Sequence, residues 1–236
     1  MLGGAAGWLG PDGAAALALS LKVALVATAA SLPLGMICAL ALARGRFWGH
    51  GLLNGLVHLP LILPPVVTGY LLLVTMGRRG PIGAWLEQTF GIVFAFRWTG
   101  AALAAAVMAF PLMVRAMRLA IEAVDPRLED AAATLGASRA AVFATVTLPL
   151  VLPGIIAGAV LAFAKSMGEF GATITFVSNI PGQTQTLPSA IYTALQVPGQ
   201  EGAVARLAAL SIAVAMVALV AAEWLSRRVA ARIAGR

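Results

Sequence analysis

Lys165 and Glu169 stand four residues apart in an otherwise apolar stretch, LAFAKSMGEFGATITF at 161–176. On a helix that spacing brings opposite charges onto one face. Ionisable groups near membrane depth usually face a bundle interior or a watery path. Two readings of the pair follow: a structural ion pair fixing a helix end, or a direct contact with a translocated ion. Ser166, Gly168, Gly171, Thr173 and Thr175 surround the pair and supply hydroxyl donors and backbone freedom, which suit the passage of an oxyanion. A bend serving only packing would use the same residues.

Catalytic chemistry is poorly supplied. A phosphate-cradling loop ends in Gly-Lys-Ser or Gly-Lys-Thr. Here Lys22 follows Leu21 and Lys165 follows Ala164, so any ATP chemistry must reside in a separate subunit. His50 and His58 do not form a His-Glu-x-x-His pair, and no Ser-His pair with an orienting partner stands out. The lone Cys38 lies in an apolar run, which excludes disulfides and cysteine-based metal sites. No catalytic residue, cofactor or metal is expected. The net charge of +7 does not mark a nucleic-acid groove, because the basic residues sit at helix ends and short loops.

The elements that must position these residues are membrane helices. The chain has 236 residues, of which 61% are hydrophobic and 11% charged, too few charges to cover a water-facing surface. A span of about 20 apolar residues crosses a bilayer core. Five such spans are expected, near 15–43, 52–76, 99–121, 148–167 and 204–225, all helical because lipid leaves no other way to satisfy the backbone. Lys22 and Pro33 predict tilt or a kink in the first. Pro60, Pro64 and Pro65 kink or start the second. His58 beside them reads as packing or interfacial. Gly154-x-x-x-Gly158 is a small-residue contact motif for packing inside the subunit or against a second copy. Trp98 and Trp224 read as interfacial anchors. The N-terminus lacks a basic leader, so the first span is retained as a helix.

Arg44, Arg46, Arg115, Arg118, Arg127, Arg139, Arg227, Arg228, Arg232 and Arg236 fall on one side, and Arg78, Arg79, Arg97 and Arg206 on the other. That bias predicts a cytoplasmic C-terminus and, with five spans, an external N-terminus. The expected layout is an external segment 1–14, a transmembrane domain 15–225 and a basic cytoplasmic tail 226–236. Two connections are long, the cytoplasmic 122–147 and the outer 168–203.

In the cytoplasmic connection, Asp125-Pro126 reads as an N-cap followed by Pro at the first helical position. RLEDAAATL then forms a helix that Gly136 stops, and Ser138 caps a second helix through 146. Leu148-Pro149 marks the return to the membrane. Two readings stand: an amphipathic hairpin lying on the membrane, or a knob for a partner protein. The small Ala131 and Ala132 would let a helix seat closely in a groove, with Glu129 and Asp130 fixing its register.

Asp130-Ala131-Ala132, three residues, Gly136, nine residues, Val146, one residue and Leu148-Pro149 resemble the signature of ABC importer permeases. Asp replaces the family's usual Glu, and Val its Ile. Further stretches, HLPLILPPVVTGYLLL at 58–73, LPLVLPGIIAGAVLAFAKSMGEFGAT at 148–173 and SNIPG at 178–182, resemble molybdate ABC transporter permeases. Sulfate and thiosulfate permeases share the Gly-Glu-Phe-Gly core. The resemblance runs from about Leu19 to Arg228. It implies an all-α membrane protein with about five transmembrane helices, the type I ABC importer permease fold, in a bacterial inner membrane. The cytoplasmic loop would then hold a coupling helix seated in a cytoplasmic ATPase, with Glu129, Asp130, Ala131, Ala132, Gly136, Leu148 and Pro149 as its coupling residues. Implied partners are two ATPase copies, a second permease copy, an external oxyanion-binding protein and membrane lipid. Molybdate would pass by alternating access, with Lys165, Ser166, Glu169, Gly171 and Thr173 at the path or gate. The alternatives are a sulfate, thiosulfate or tungstate permease and a stand-alone secondary anion transporter; a membrane-embedded enzyme lacks its residues.

Overall fold

The computed structural model describes residues 3–233, so Met1, Leu2 and the end of the basic tail, including Arg236, lie outside the described residues. Every regular element among the described residues is a helix. α1 spans Gly3–Arg44, α2 His50–Ile62, α3 Pro65–Met76, α4 Pro81–Phe90 and α5 Trp98–Glu122. α6 (Pro126–Thr134) and α7 (Arg139–Val142) follow, then a π-helical segment Phe143–Thr147. α8 is Leu148–Met167, α9 Gly171–Val177, α10 Leu187–Leu195 and α11 Glu201–Ile233.

Four continuous stretches are long and apolar enough to cross a membrane: Asp12–Arg44, Trp98–Glu122, Arg139–Met167 and Glu201–Ala221. The fifth apolar stretch is two helices rather than one. α2 and α3 meet at 115°, where a single span over 52–76 was expected. The cause is local, since a residue before proline is pushed out of the helical region. Leu63 precedes Pro64 and Pro64 precedes Pro65, and both are extended, at ψ 142° and 134°. Two successive extended residues break the helix where one would bend it. α1 also departs from expectation, beginning at Gly3 rather than near residue 15. Gly3, Gly4, Gly7, Gly10 and Pro11 are poor helix formers, so helix propensity does not account for this extension; Pro33 does not end the helix.

α5 is the centre of the bundle. Its buried face is mostly alanine, from Ala101 to Ala109, then Met113, Val114, Met117 and Ile121. Small side chains let α1, α8 and α9 approach its backbone closely. α11 is peripheral and keeps Ile212, Met216, Val217 and Val220 exposed.

The Gly154-x-x-x-Gly158 motif is used inside the subunit, against α5. A Cβ on Gly154 would lie 2.2 Å from the Ala120 Cβ, and one on Gly158 3.0 Å from the Met113 carbonyl oxygen. Gly154→Ala should therefore overpack the α5–α8 contact by about 1–3 kcal/mol. Thermal unfolding in detergent checks this, with Ala120→Gly expected to restore much of the loss in the double variant.

Candidate coupling loop and translocation gate

The loop after α5 folds from local signals. Asp125 caps α6 by accepting a hydrogen bond from the Arg127 N–H at 2.9 Å, and Pro126 takes the first turn, where its missing donor costs nothing. At the other end Gly136 has φ +88°, its N–H bonds the Ala133 oxygen (3.0 Å), and the Ala137 N–H bonds the Ala132 oxygen (3.2 Å). These two bonds make a Schellman turn, whose left-handed position strongly favours glycine. Ser138 then caps α7, accepting from the Ala141 N–H at 3.3 Å.

The sequence ends the second short helix near residue 146, before the return to the membrane at Leu148-Pro149. Instead α7, the π-helical segment and α8 run on without interruption from Arg139 to Met167. A regular helix would bring the Pro149 ring against the Thr145 carbonyl. The widened turn sits at that place, with the Leu148 N–H bonded to the Phe143 oxygen. Leu148 and Pro149, both half-buried, begin the membrane helix.

α6 has two distinct faces. Leu128, Ala131 and Leu135, spaced i, i+3, i+7, are exposed, Leu128 to 50% and Leu135 to 89%. Asp130 is exposed beside them and Ala132 is half-buried. Glu129 points the other way. Its carboxylate takes hydrogen bonds from both terminal nitrogens of Arg44, at 2.5 and 3.2 Å, and from the Thr147 hydroxyl at 2.6 Å. Arg44 also reaches the Ile121 carbonyl, at 3.4 Å. The Arg44 guanidinium, and after it the Thr147 hydroxyl, hold the Glu129 carboxyl below its usual pKa. By its place in the sequence Glu129 pairs with Asp130 as a register contact for a partner; in the structure its carboxylate engages its own subunit. The i, i+3, i+7 spacing of Leu128, Ala131 and Leu135 was the available signal for the outward face. No local signal points to Arg44, 85 residues away.

At the other end of α8 the structure joins Lys165 to Glu169. The ammonium donates to Glu169 Oε2 at 2.9 Å, and Glu169 Oε1 accepts from the Ala172 N–H at 3.0 Å. The carboxylate, with 2% side-chain exposure, thus ties the end of α8 to the first turn of α9, while Lys165 is 32% exposed. Ser166 and Thr173 are buried. Thr175 donates back to the Gly171 carbonyl oxygen at 2.9 Å. Gly171 serves close contact rather than freedom, since a Cβ there would lie 2.7 Å from that of Pro65. On α3 the complementary residue is Gly69, whose Cβ would meet the Ala172 carbonyl oxygen at 2.5 Å. Beyond α9 the expected outer loop is largely folded: Thr184, Gln185 and Thr186 are buried, and the Leu187 N–H donates to Ser20 Oγ at 2.7 Å.

Residues 31–231 match the family described as binding-protein-dependent transport system inner membrane component. The chain belongs to that family. This inner-membrane component is 64% identical over 212 residues to the molybdenum transport system permease protein ModB of Escherichia coli (strain K12), covering 90% of this chain and 93% of that protein. It is 35% identical over 225 residues to the sulfate transport system permease protein CysT of the same strain, covering 95% and 80%. Among solved structures, a bacterial alginate ABC transporter in complex with alginate pentasaccharide-bound periplasmic protein superposes at TM-score 0.71 and 20% identity, over 91% of this chain and 78% of that one. The fold is that of a type I ABC importer permease, all-helical among the described residues, with four continuous apolar helices of membrane-crossing length and the bent α2–α3 pair.

In this transport-system component the Arg44–Glu129 contact carries a pH signature. A carboxyl held below its usual pKa contributes stability that is complete above the unfolded value, near about 4.3 for Glu, and is lost as pH falls through the lowered folded value. Detergent-solubilised protein should show a stability loss below about pH 4.3 that Glu129→Gln reduces. Thermal unfolding followed from neutral to acid pH reads the difference between the two.

Proposed function

We propose that this chain is the membrane-spanning subunit of an ATP-driven oxyanion importer and carries molybdate across the inner membrane by alternating access. The observation that carries the anion is the 64% identity to a molybdenum permease over 90% of the chain, against 35% for a sulfate permease. The importer reading rests on α6, which presents an exposed apolar face around Ala131 and is fastened behind to the membrane helices.

In this reading two copies of the chain form the pore and two separate ATPase subunits hydrolyse ATP below it. An oxyanion-binding protein delivers the ion from outside. The C-terminus is cytoplasmic and the N-terminus external, following the excess of arginine on the α6 side. Asp130, Ala131, Ala132 and the Gly136 turn meet the ATPase, joined by Leu128 and Leu135, and Leu148-Pro149 passes its motion to α8. Lys165, Ser166, Glu169, Gly171 and Thr173 form the outer gate. The Lys165 ammonium, with N–H donors beyond its bond to Glu169, is the group that meets the anion.

Uptake of radiolabelled molybdate into proteoliposomes holding the chain, its ATPase, the binding protein and internal ATP tests this. Uptake that needs ATP and both partners and resists excess sulfate is expected. Equal competition by sulfate would replace the anion, and uptake without ATPase or ATP would favour a secondary carrier and sink the importer.

A further inference from the structure

Four segments meet around the Arg44–Glu129 pair. Glu129 lies on the first turn of α6, Arg44 is the last residue of α1, the Ile121 carbonyl belongs to the last turn of α5, and Thr147 is the residue before α8. Arg44 donates to two of them and the Thr147 hydroxyl to Glu129. Each end suits its helix: a cation at the C-terminus of α1 and an anion at the N-terminus of α6 oppose the helix dipoles. Thr147 is 4% exposed and the Glu129 side chain 20%, so water screens the contact only in part. α6 has no buried residue of its own. α6 packs against the Phe143–Thr147 segment and α7, and this polar cluster ties it to the ends of α1 and α5.

We propose that the Arg44–Glu129–Thr147 cluster is the strut that converts movement of α6 into movement of α1 and α5, alongside the chain's own path into α8, with Glu129 as a positioning residue for transport. This deepens the proposed importer function and rests on it. Without the strut, α6 keeps its exposed face and still seats in the ATPase, but moves α8 through the chain without taking α1 and α5 along. ATP is then hydrolysed with little transport.

The distinguishing quantity is molybdate moved per ATP hydrolysed, measured in proteoliposomes with the ATPase and binding protein. Glu129→Ala and Arg44→Ala are each expected to lower it about tenfold, while the ATPase still co-purifies and still hydrolyses ATP. A residue needed only for folding would lose assembly, hydrolysis and uptake together, and that result would overturn the strut. A cross-link gives a second, independent reading. Arg44→Cys with Glu129→Cys, in a Cys38→Ala background, should be uncoupled when untreated and recover when a short bis-maleimide joins the two positions. Recovery is expected because the strut holds throughout the cycle. Persistent loss after complete cross-linking overturns it. Normal coupling in Glu129→Ala, with ATP-driven uptake by the unaltered complex, overturns the strut and leaves the importer standing. Absence of ATP-driven uptake by the unaltered complex overturns both.

Discussion

Gly136→Val is expected to cut ATP-driven uptake about tenfold, whereas Gly136→Asn stays near the unaltered level. The turn after α6 holds residue 136 at φ +88°. A left-handed conformation costs an L-residue roughly 1–2 kcal/mol, most severely when the side chain is β-branched and least for Asn. Space is not the obstacle, because no atom lies within 4 Å of a Cβ built there. The backbone angle alone decides the ranking, so Ala should fall between Asn and Val. If valine moves residue 136 out of that region, the Ala137-to-Ala132 bond is lost and α6 frays at Leu135, its most exposed apolar residue. Uptake by Gly136→Val equal to that of the parent would show that the turn geometry is not needed for coupling.

Gly69→Ala should be more damaging still, abolishing uptake and lowering the unfolding temperature of the assembled permease. A Cβ at residue 69 would lie 2.5 Å from the Ala172 carbonyl oxygen and 2.9 Å from its Cα. Both obstacles are backbone, so no side chain can swing aside. α3 and α9 must separate, at the upper end of the roughly 1–3 kcal/mol usual for overpacking. Separation also pulls on Ala172, whose N–H is held by Glu169. Gly202→Ala is the control: that glycine lies in α11, where a Cβ meets nothing within 4 Å, and a neutral or slightly stabilising change is expected. Unfolding temperatures of the two variants, with uptake for each, check the contrast. Wild-type behaviour of Gly69→Ala would mean that α3 and α9 are not held in contact during transport.

What was legible in the sequence was what local physics fixes. The positions of the spans follow from apolar length, and the coupling loop from Asp125-Pro126, Gly136 and Ser138, each acting on its own neighbours. The spacing of Lys165 and Glu169 foretold their contact for the same reason. α4, α9 and α10 were not foreseen. They are helices of ten, seven and nine residues, too short to stand without tertiary support. The polar run Thr184 to Thr186 reads as a loop, yet it is buried against α1 and α10 through bonds such as Leu187 to Ser20. The direction of Glu129 was equally hidden, because the face an acidic residue turns inward depends on a partner from another helix. Pro64-Pro65 announced an irregularity, and its size follows from two successive residues held extended by the prolines after them.

The break at Leu63 and Pro64 also bears on how wet the protein is. Backbone that leaves a helix at membrane depth survives only where protein covers it or water reaches it. Pro64 and Pro65 are exposed on the single chain, beside apolar neighbours such as Ile62 and Val66. At membrane depth such a bend needs a second copy to seal it or water to reach the last carbonyls of α2, since the Pro64 carbonyl already accepts from the Val67 and Thr68 N–H groups. Mean hydropathy, at +0.94 for the chain, counts side chains and is blind to such a place. A chain that looks uniformly greasy by composition can thus still carry polar main chain in the middle of an oily stretch, at a bend made by two prolines in succession.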